Sequence, residues 1–241
     1  MKILVIGKNG FVSTSFQQYM KKYEEIEVTA ISARNQGWKD QDFSKYDAVY
    51  NATGLAHDDA RKGTDEQFME LNCKLPVELA KKAKAEGVKT FINMSSIIIY
   101  GDMSELGSKA LITENTIPTP SGIYGRSKLA GEKELQKLND ESFHVAIIRS
   151  PLIYSEHAVD NFLKLTSYAV KYPIFPKINN RRSMIYSDNL CELVKLIAEN
   201  NSEGIFYPQQ DRYICTSKLV RDVAAAAKSK MMLTKVFNPV I

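Results

Sequence analysis

The chain has 241 residues, 44% of them hydrophobic, and a formal net charge of +4 from 32 basic and 28 acidic side chains. That length suits one large domain or a domain with a modest annex, long enough to bury a sizeable core. Lysines are spread among acids, so the dense basic stripe of a nucleic-acid binder is missing, and no apolar run approaches the roughly twenty residues of a membrane span.

Apolar runs alternate with longer helical patterns, the mark of an α/β protein with a parallel sheet. A first strand is predicted over 2–6, and "ILVIGKNGFVS" puts Gly7 and Gly10 directly after it, at the mouth of a helix over 11–23. Such a turn lets backbone amides approach a pyrophosphate whose charge the helix N-terminus favours. The alternative is an ordinary glycine turn. Ser13 stands where a third glycine often sits and is expected to loosen the packing of helix on strand. The second strand, 27–31, ends "VTAISAR". An acid there would bond a ribose 2′-hydroxyl, whereas an arginine would pair with a 2′-phosphate. Ser32 and Arg34 therefore favour NADP over NAD, unless Arg34 is a solvated surface charge. Asp40, further on, meets the adenine or caps the next element.

A third strand is expected over 48–52, a helix over 65–86 and a fourth strand over 90–94, running into Ser95 and Ser96. Hydroxyls at the carboxyl end of a parallel strand lie where such folds bind ligands, although two serines can also simply end a strand. A helix over 123–139 carries Tyr124 and Lys128, four residues apart and so on one face. The nearby ammonium is expected to lower the tyrosine pKa, fitting Tyr124 as general base or acid near neutral pH. A fifth strand covers 143–148. Past Pro151 the pattern loosens into helices over 159–172, 188–200 and 217–228, with the proline-containing "YPIFPKINNRRS" between the first two. We divide the chain into a dinucleotide-binding domain, 1–150, and an annex, 151–241, ending in a packed lysine-rich tail.

Cys73, Cys191 and Cys215 are odd in number and far apart, which argues against a disulfide framework and thiol metal sites and suits a reduced cytoplasm. His57, His144 and His157 lack metal-ligand spacing, and the apolar run in "MKILVIG" is too short for a signal peptide.

Glycine turn, strand-end serine and Y-x-x-x-K, in that order, resemble the extended short-chain dehydrogenase/reductases, the NAD-dependent epimerase/dehydratase family. "DAVYNATGLAHDD" is similar to that family's fourth-strand segment beneath the cofactor, and "NRRSMIYSDNLCELV" to its substrate-domain signature. The resemblance covers nearly the whole chain and implies a Rossmann-type doubly wound parallel sheet with a shortened C-terminal substrate region. It implies Ser96, Tyr124 and Lys128 as the catalytic set, Ser95 being a neighbour of Ser96 and not its equivalent. It implies NAD(P) contacts from Gly7, Asn9, Gly10, Phe11 and Val12, from Ser32, Arg34 and Asp40, from Thr53, Gly54 and Leu55, and from Asn72 and Lys128. Arg182 matches a pyrophosphate-binding arginine, which guanidinium chemistry suits, while Arg181 reads as a surface charge and Asp188 as a helix cap.

The departures are informative. Asn51 stands where many relatives have histidine, and Ala56 where UDP-galactose 4-epimerases have a phosphate-facing lysine, so the hold on the cofactor is expected to differ. Ile97 and Ile98 replace the acid pair of dehydratases, which argues against dehydration. The chain stops at Ile241, short of a typical epimerase, so part of the substrate pocket is expected to be absent, supplied by a partner, or outside this stretch of sequence. The resemblance thus implies a sugar-nucleotide 4-epimerase of surface-polysaccharide synthesis, with an NADPH-dependent 4-keto-sugar reductase as the alternative. A non-catalytic dinucleotide binder is the third reading. A homodimer through the 65–86 and 123–139 helices is the implied assembly.

Overall fold

The computed structural model of the protein describes residues 1–55, 63–101, 111–158 and 160–236. Ala56, His57, the expected helix start at 159 and the last five residues of the tail lie outside them. The first strands are β1 (Lys2–Ile6), β2 (Glu27–Ile31), β3 (Ala48–Asn51), β4 (Thr90–Ser96) and β5 (His144–Ser150). The later half adds β6 (Leu152–Tyr154), β7 (Ile174–Pro176), β8 (Met184–Tyr186), β9 (Gly204–Phe206) and β10 (Met232–Thr234). Six of them form one sheet in the order β2-β1-β3-β4-β5-β9, every pair parallel.

A parallel sheet covered on both faces needs apolar side chains on both sides of each strand. In β1, Ile3 and Val5 enter one core and Leu4 and Ile6 the other; β5 divides Ala146 and Ile148 from Val145 and Ile147 in the same way. The first face is covered by α1 (Phe11–Met20) and by α6 (Ser187–Glu199), which presents Leu190, Cys191, Val194 and Ile197. The second is covered by a helix made of α2 (Asp65–Met69) and α3 (Leu75–Ala85), and by α4 (Ile123–Gln136). Beyond this core, α5 (Asp160–Lys171) and α7 (Thr216–Ala226) enclose a small cluster of Ala169, Val220 and Ala224. No helix among the described residues is long and apolar enough to cross a membrane.

Four departures from the sequence reading have physical causes. The helix expected over 11–23 stops at Met20, because the amides of Lys21, Lys22 and Tyr23 turn back three residues, to Gln18, Tyr19 and Met20, and tighten the chain. The segment resembling a fourth strand is the third in the chain, since a single 3-10 turn, Arg34–Asp40, joins β2 to β3. The 65–86 helix is interrupted by a π turn at Glu70–Lys74. Pro76 has no amide proton for the carbonyl of Asn72, four residues back, so the helix widens there. Asp188 does not cap α6: it sits in the first turn behind Tyr186 and pairs with Lys22 at 3.4 Å.

The π turn matters because α4 is seated on it. A Cβ added at Gly131 would collide with the Asn72 carbonyl oxygen and lie 3.2 Å from Cys73 Cα, both rigid backbone atoms. Gly131→Ala is therefore expected to lower stability by about 1–3 kcal/mol, as overpacking does. Denaturant unfolding measures this, and an unchanged midpoint would mean that the helix can slide without cost.

Candidate active site

The carboxyl ends of β1, β2, β3 and β4 meet where the strand order reverses on either side of β1, the crevice in which open α/β sheets bind ligands. Gly7 leaves β1 at φ +112°, and its amide and that of Lys8 donate to the Ile31 carbonyl at 2.9 and 3.1 Å. A side chain at Gly7 would press on Thr53 Cγ2 at 3.0 Å. Gly10 caps α1 with no side chain bonded to the helix amides, and a Cβ there would meet only the Gly7 carbonyl oxygen at 3.7 Å. Open amides in an uncrowded cradle at a helix N-terminus fit a pyrophosphate. Asn9 is exposed, and Phe11 and Val12 are half-buried. Ser13 lies on the inner face of α1. It is fully buried, and its hydroxyl accepts the Gln17 amide at 3.0 Å.

At the end of β2 the Ser32 hydroxyl accepts the Arg34 amide at 3.1 Å, so the two residues form one tight turn. Exposed Lys8 is bonded through its amide to Ile31, next to Ser32. Asp40 is exposed at the far end of the 3-10 turn.

The end of β3 is tied down by side-chain amides. Buried Asn51 donates to Asn93 Oδ1 at 2.8 Å and accepts the Thr53 hydroxyl at 2.6 Å and its amide at 3.2 Å. Gly54 has φ +143°, and a Cβ there would lie 2.6 Å from Asn72 Oδ1 and 2.8 Å from Lys128 Nζ. Asn72, in the π turn, accepts the Leu55 amide at 3.0 Å and donates to the Leu55 carbonyl at 3.2 Å and to Ser127 Oγ at 3.1 Å. Ser127 in turn donates to the Tyr124 carbonyl at 2.9 Å.

The structure brings Ser96, Tyr124 and Lys128 together. The Ser96 hydroxyl caps the 3-10 turn Ile97–Tyr100 through the Ile98 amide, at 3.3 Å, and lies near enough to the Tyr124 phenol to act on its pKa. Tyr124 packs edge-on against Phe68, with ring centroids 6.4 Å apart. Lys128 is 4% exposed and donates to the Met94 carbonyl at 3.0 Å. Burial pulls its pKa from 10.5 down to about 8, while the Glu132 carboxylate pulls it back up. The Tyr124 pKa does not fall as the lysine spacing suggests. Burial pushes it above its usual 10, and only the Ser96 hydroxyl works in the other direction. Desolvation sets the direction, and the Lys128 ammonium is turned toward the Met94 carbonyl of β4.

A network beneath this set escaped the sequence reading. Glu132, 1% exposed, pairs with Arg149, 6% exposed, through Arg149 Nη2 at 2.7 Å and Nε at 3.1 Å. It also accepts the Ser95 hydroxyl. Arg149 Nη1 donates to the Tyr100 and Tyr207 hydroxyls at 2.6 and 2.8 Å. Two signals could have exposed it: polar residues at 124, 128 and 132 along one helix face, and a charge inside the apolar strand "HVAIIRS".

Arg182 lies just before β8, its backbone bridged to Ile214 by two bonds of 2.9 Å, and its side chain, like that of Arg181, is exposed. The described residues hold no cluster of histidine, cysteine and acids suited to a metal, and all three cysteines are free thiols.

The family model for the NAD dependent epimerase/dehydratase family matches residues 3–207. Over 165 residues the chain is 31% identical to UDP-glucose 4-epimerase of Vibrio cholerae, covering 66% of this chain and 50% of that protein. The chain spans about half the length of the curated relatives it matches. Among solved structures, UDP-glucuronic acid 4-epimerase from Bacillus cereus, in complex with NAD, aligns with TM-score 0.80 and 17% identity over 98% of this chain and 88% of that one. A dTDP-4-dehydrorhamnose reductase from Clostridium acetobutylicum aligns with TM-score 0.78 and 18% identity over 97% and 83%. At such identities the likeness is one of fold.

A buried lysine has a consequence for stability. Its pKa is about 8 folded against 10.5 unfolded, so between those values the unfolded chain holds more protons and stability rises with pH. Over that window the wild type is expected to gain on the order of 3 kcal/mol relative to Lys128→Met, at about 1.4 kcal/mol per pH unit. Denaturant melts of both proteins at pH 7.5 and pH 10 check this, and a gap that stays constant between those values would contradict it.

Proposed function

Because the chain belongs to the NAD dependent epimerase/dehydratase family, we propose that it is an NAD(P)-dependent sugar-nucleotide 4-epimerase acting by transient oxidation at the sugar C4. The observation that carries this reading is the joining of Ser96, Tyr124 and Lys128 at the end of β4, beside the open cradle at Gly7 and Gly10. The names of the relatives, epimerases and reductases of nucleotide sugars, support the substrate class.

In this reading Tyr124 takes the proton of the sugar hydroxyl and later returns it. Ser96, beside the phenol, orients the same oxygen. The Lys128 ammonium offsets the charge the phenol acquires and holds ribose hydroxyls. Gly7, Gly10 and the amides opening α1 cradle a pyrophosphate, and Asn72 fixes the Leu55 backbone at the cleft wall. Arg182 receives the diphosphate of the sugar nucleotide. A nicotinamide dinucleotide, when bound, supplies the acceptor and donor of the C4 hydride.

A second reading, an NADPH-dependent 4-keto-sugar-nucleotide reductase, is favoured by one observation: the end of β2 presents Ser32, Arg34 and Lys8 instead of an acid. The two differ in stoichiometry. An epimerase interconverts UDP-sugars without net change in the dinucleotide, whereas a reductase oxidises one NADPH per 4-keto sugar.

Incubation with UDP-glucose, UDP-galactose and a dTDP-4-keto sugar, followed by nucleotide-sugar chromatography and absorbance at the NADPH band, separates them. Tyr124→Phe is expected to lose about 10²–10⁴-fold in turnover, the range for a general acid–base, while still binding dinucleotide. Full turnover in that variant would remove the mechanism.

A further inference from the structure

Three successive turns of α4 are fastened to the ends of β4 and β5. Tyr124 meets Ser96, Lys128 donates to the Met94 carbonyl, and Glu132 accepts the Ser95 hydroxyl and the Arg149 guanidinium. Ser95 and Arg149 are direct partners in the β4–β5 register, as are Ser96 and Ser150. One carboxylate therefore spans a strand pair one residue short of the catalytic serine. We propose that Glu132 is a positioning residue for the proton-transfer set: by binding Ser95 and Arg149 at once it fixes the register of α4 on the strand ends, and so where Lys128 and Tyr124 stand relative to Ser96. The inference rests on the role of Tyr124 and Lys128 proposed above.

The site is built for this purpose. The pair is almost fully enclosed, so neither charge has water as an alternative partner, and the remaining Arg149 nitrogen is taken up by two phenols. A buried pair is weak evidence of stabilisation, since apolar replacements often fold as well; what it supplies is a fixed geometry. Glu132 also acts on Lys128 through its charge. The titratable and charged side chains on α4 besides Lys128 are Tyr124, Arg126, Glu132, Lys133 and Glu134, and those on the elements packed against it are Asp65, Glu66, Glu70, Cys73, Lys74, Glu78, Lys81, Lys82, Lys84, Tyr100, His144 and Arg149. The one that supports the Lys128 ammonium is Glu132.

The test reads Lys128 directly. In protein labelled at lysine side chains, the Lys128 resonance, assigned by its loss in Lys128→Met, titrates with pH by NMR without any substrate. In Glu132→Gln its midpoint is expected to fall below the wild-type value by about half a pH unit or more, because the charge opposing desolvation is gone. In Ser95→Ala, which keeps that charge but removes one of its two anchors, the midpoint should move less than in Glu132→Gln. If Glu132→Gln leaves Arg149 unpaired and does not fold, the double variant Glu132→Gln with Arg149→Met removes both charges, and a smaller fall in the same direction is expected, because the more distant Arg149 cation is lost as well. An unmoved midpoint with Glu132 replaced, or an equal shift in Ser95→Ala, overturns the proposal. Because this titration needs no turnover, a wild-type protein inactive on sugar nucleotides would defeat the proposed function without deciding this inference.

Discussion

The architecture of the cleft follows from one costly demand, that a lysine be kept charged inside the protein. An isolated ammonium moved into an apolar interior would give up its proton, so it survives there only with partners. Lys128 has one neutral partner, the Met94 carbonyl, and one charged helper a turn along the helix, Glu132. Glu132 is itself buried and needs a cation, which is Arg149; Arg149 has a donor to spare, and Tyr100 and Tyr207 accept it. Each polar group thus calls for the next until the chain of partners reaches Tyr207, 41% exposed, where water can take over.

That demand also explains why α4 looks unlike a core helix. Its buried residues are Gly125, Ser127, Lys128, Gly131, Glu132 and Leu135, with a single large apolar side chain. Contact at this face comes from close approach of backbone: Gly131 against the π turn, and Gly125 against Ile98 and Pro120. The apolar driving force is supplied elsewhere, by strands whose two faces feed two separate cores. Polar precision at the strand ends is affordable because the sheet beneath them needs none of it.

How much of this the sequence discloses depends on how local the cause is. The five main strands announce themselves because both faces are covered, giving continuous apolar runs; β6 to β10 are three residues each, too short for any pattern to show. Gly7, Gly10 and the spacing of Tyr124 and Lys128 are legible because turn geometry and helical pitch act within a few residues. The direction of the Tyr124 pKa was not, because it is set by how deeply the ring is packed, including by Phe68 from a helix far back in the chain. Glu132 and Arg149 are 17 residues apart, and nothing short of the β4–β5 register brings Ser95 to both. The π turn is written in Pro76, but only with a helix on both sides does a missing amide widen one.

The ribose corner shows how the shortened β2–β3 connection reaches into chemistry. Asp40 is exposed at the far end of the 3-10 turn, six residues beyond Arg34, and Gln36 at φ +55° breaks the regular rise between them. With Ser32 bonded to the Arg34 amide and Lys8 fastened to Ile31 through its backbone, the residues at that corner are an exposed serine and two exposed basic residues. A 2′-hydroxyl gains little from cations and a 2′-phosphate gains from them, so this corner bears on which dinucleotide fits. It leaves the overall reaction open, because an epimerase regenerates its dinucleotide each cycle and is indifferent to a phosphate remote from the reacting carbon. What separates epimerase from reductase must therefore lie on the sugar side, in whether the bound ketone can turn over before it is reduced.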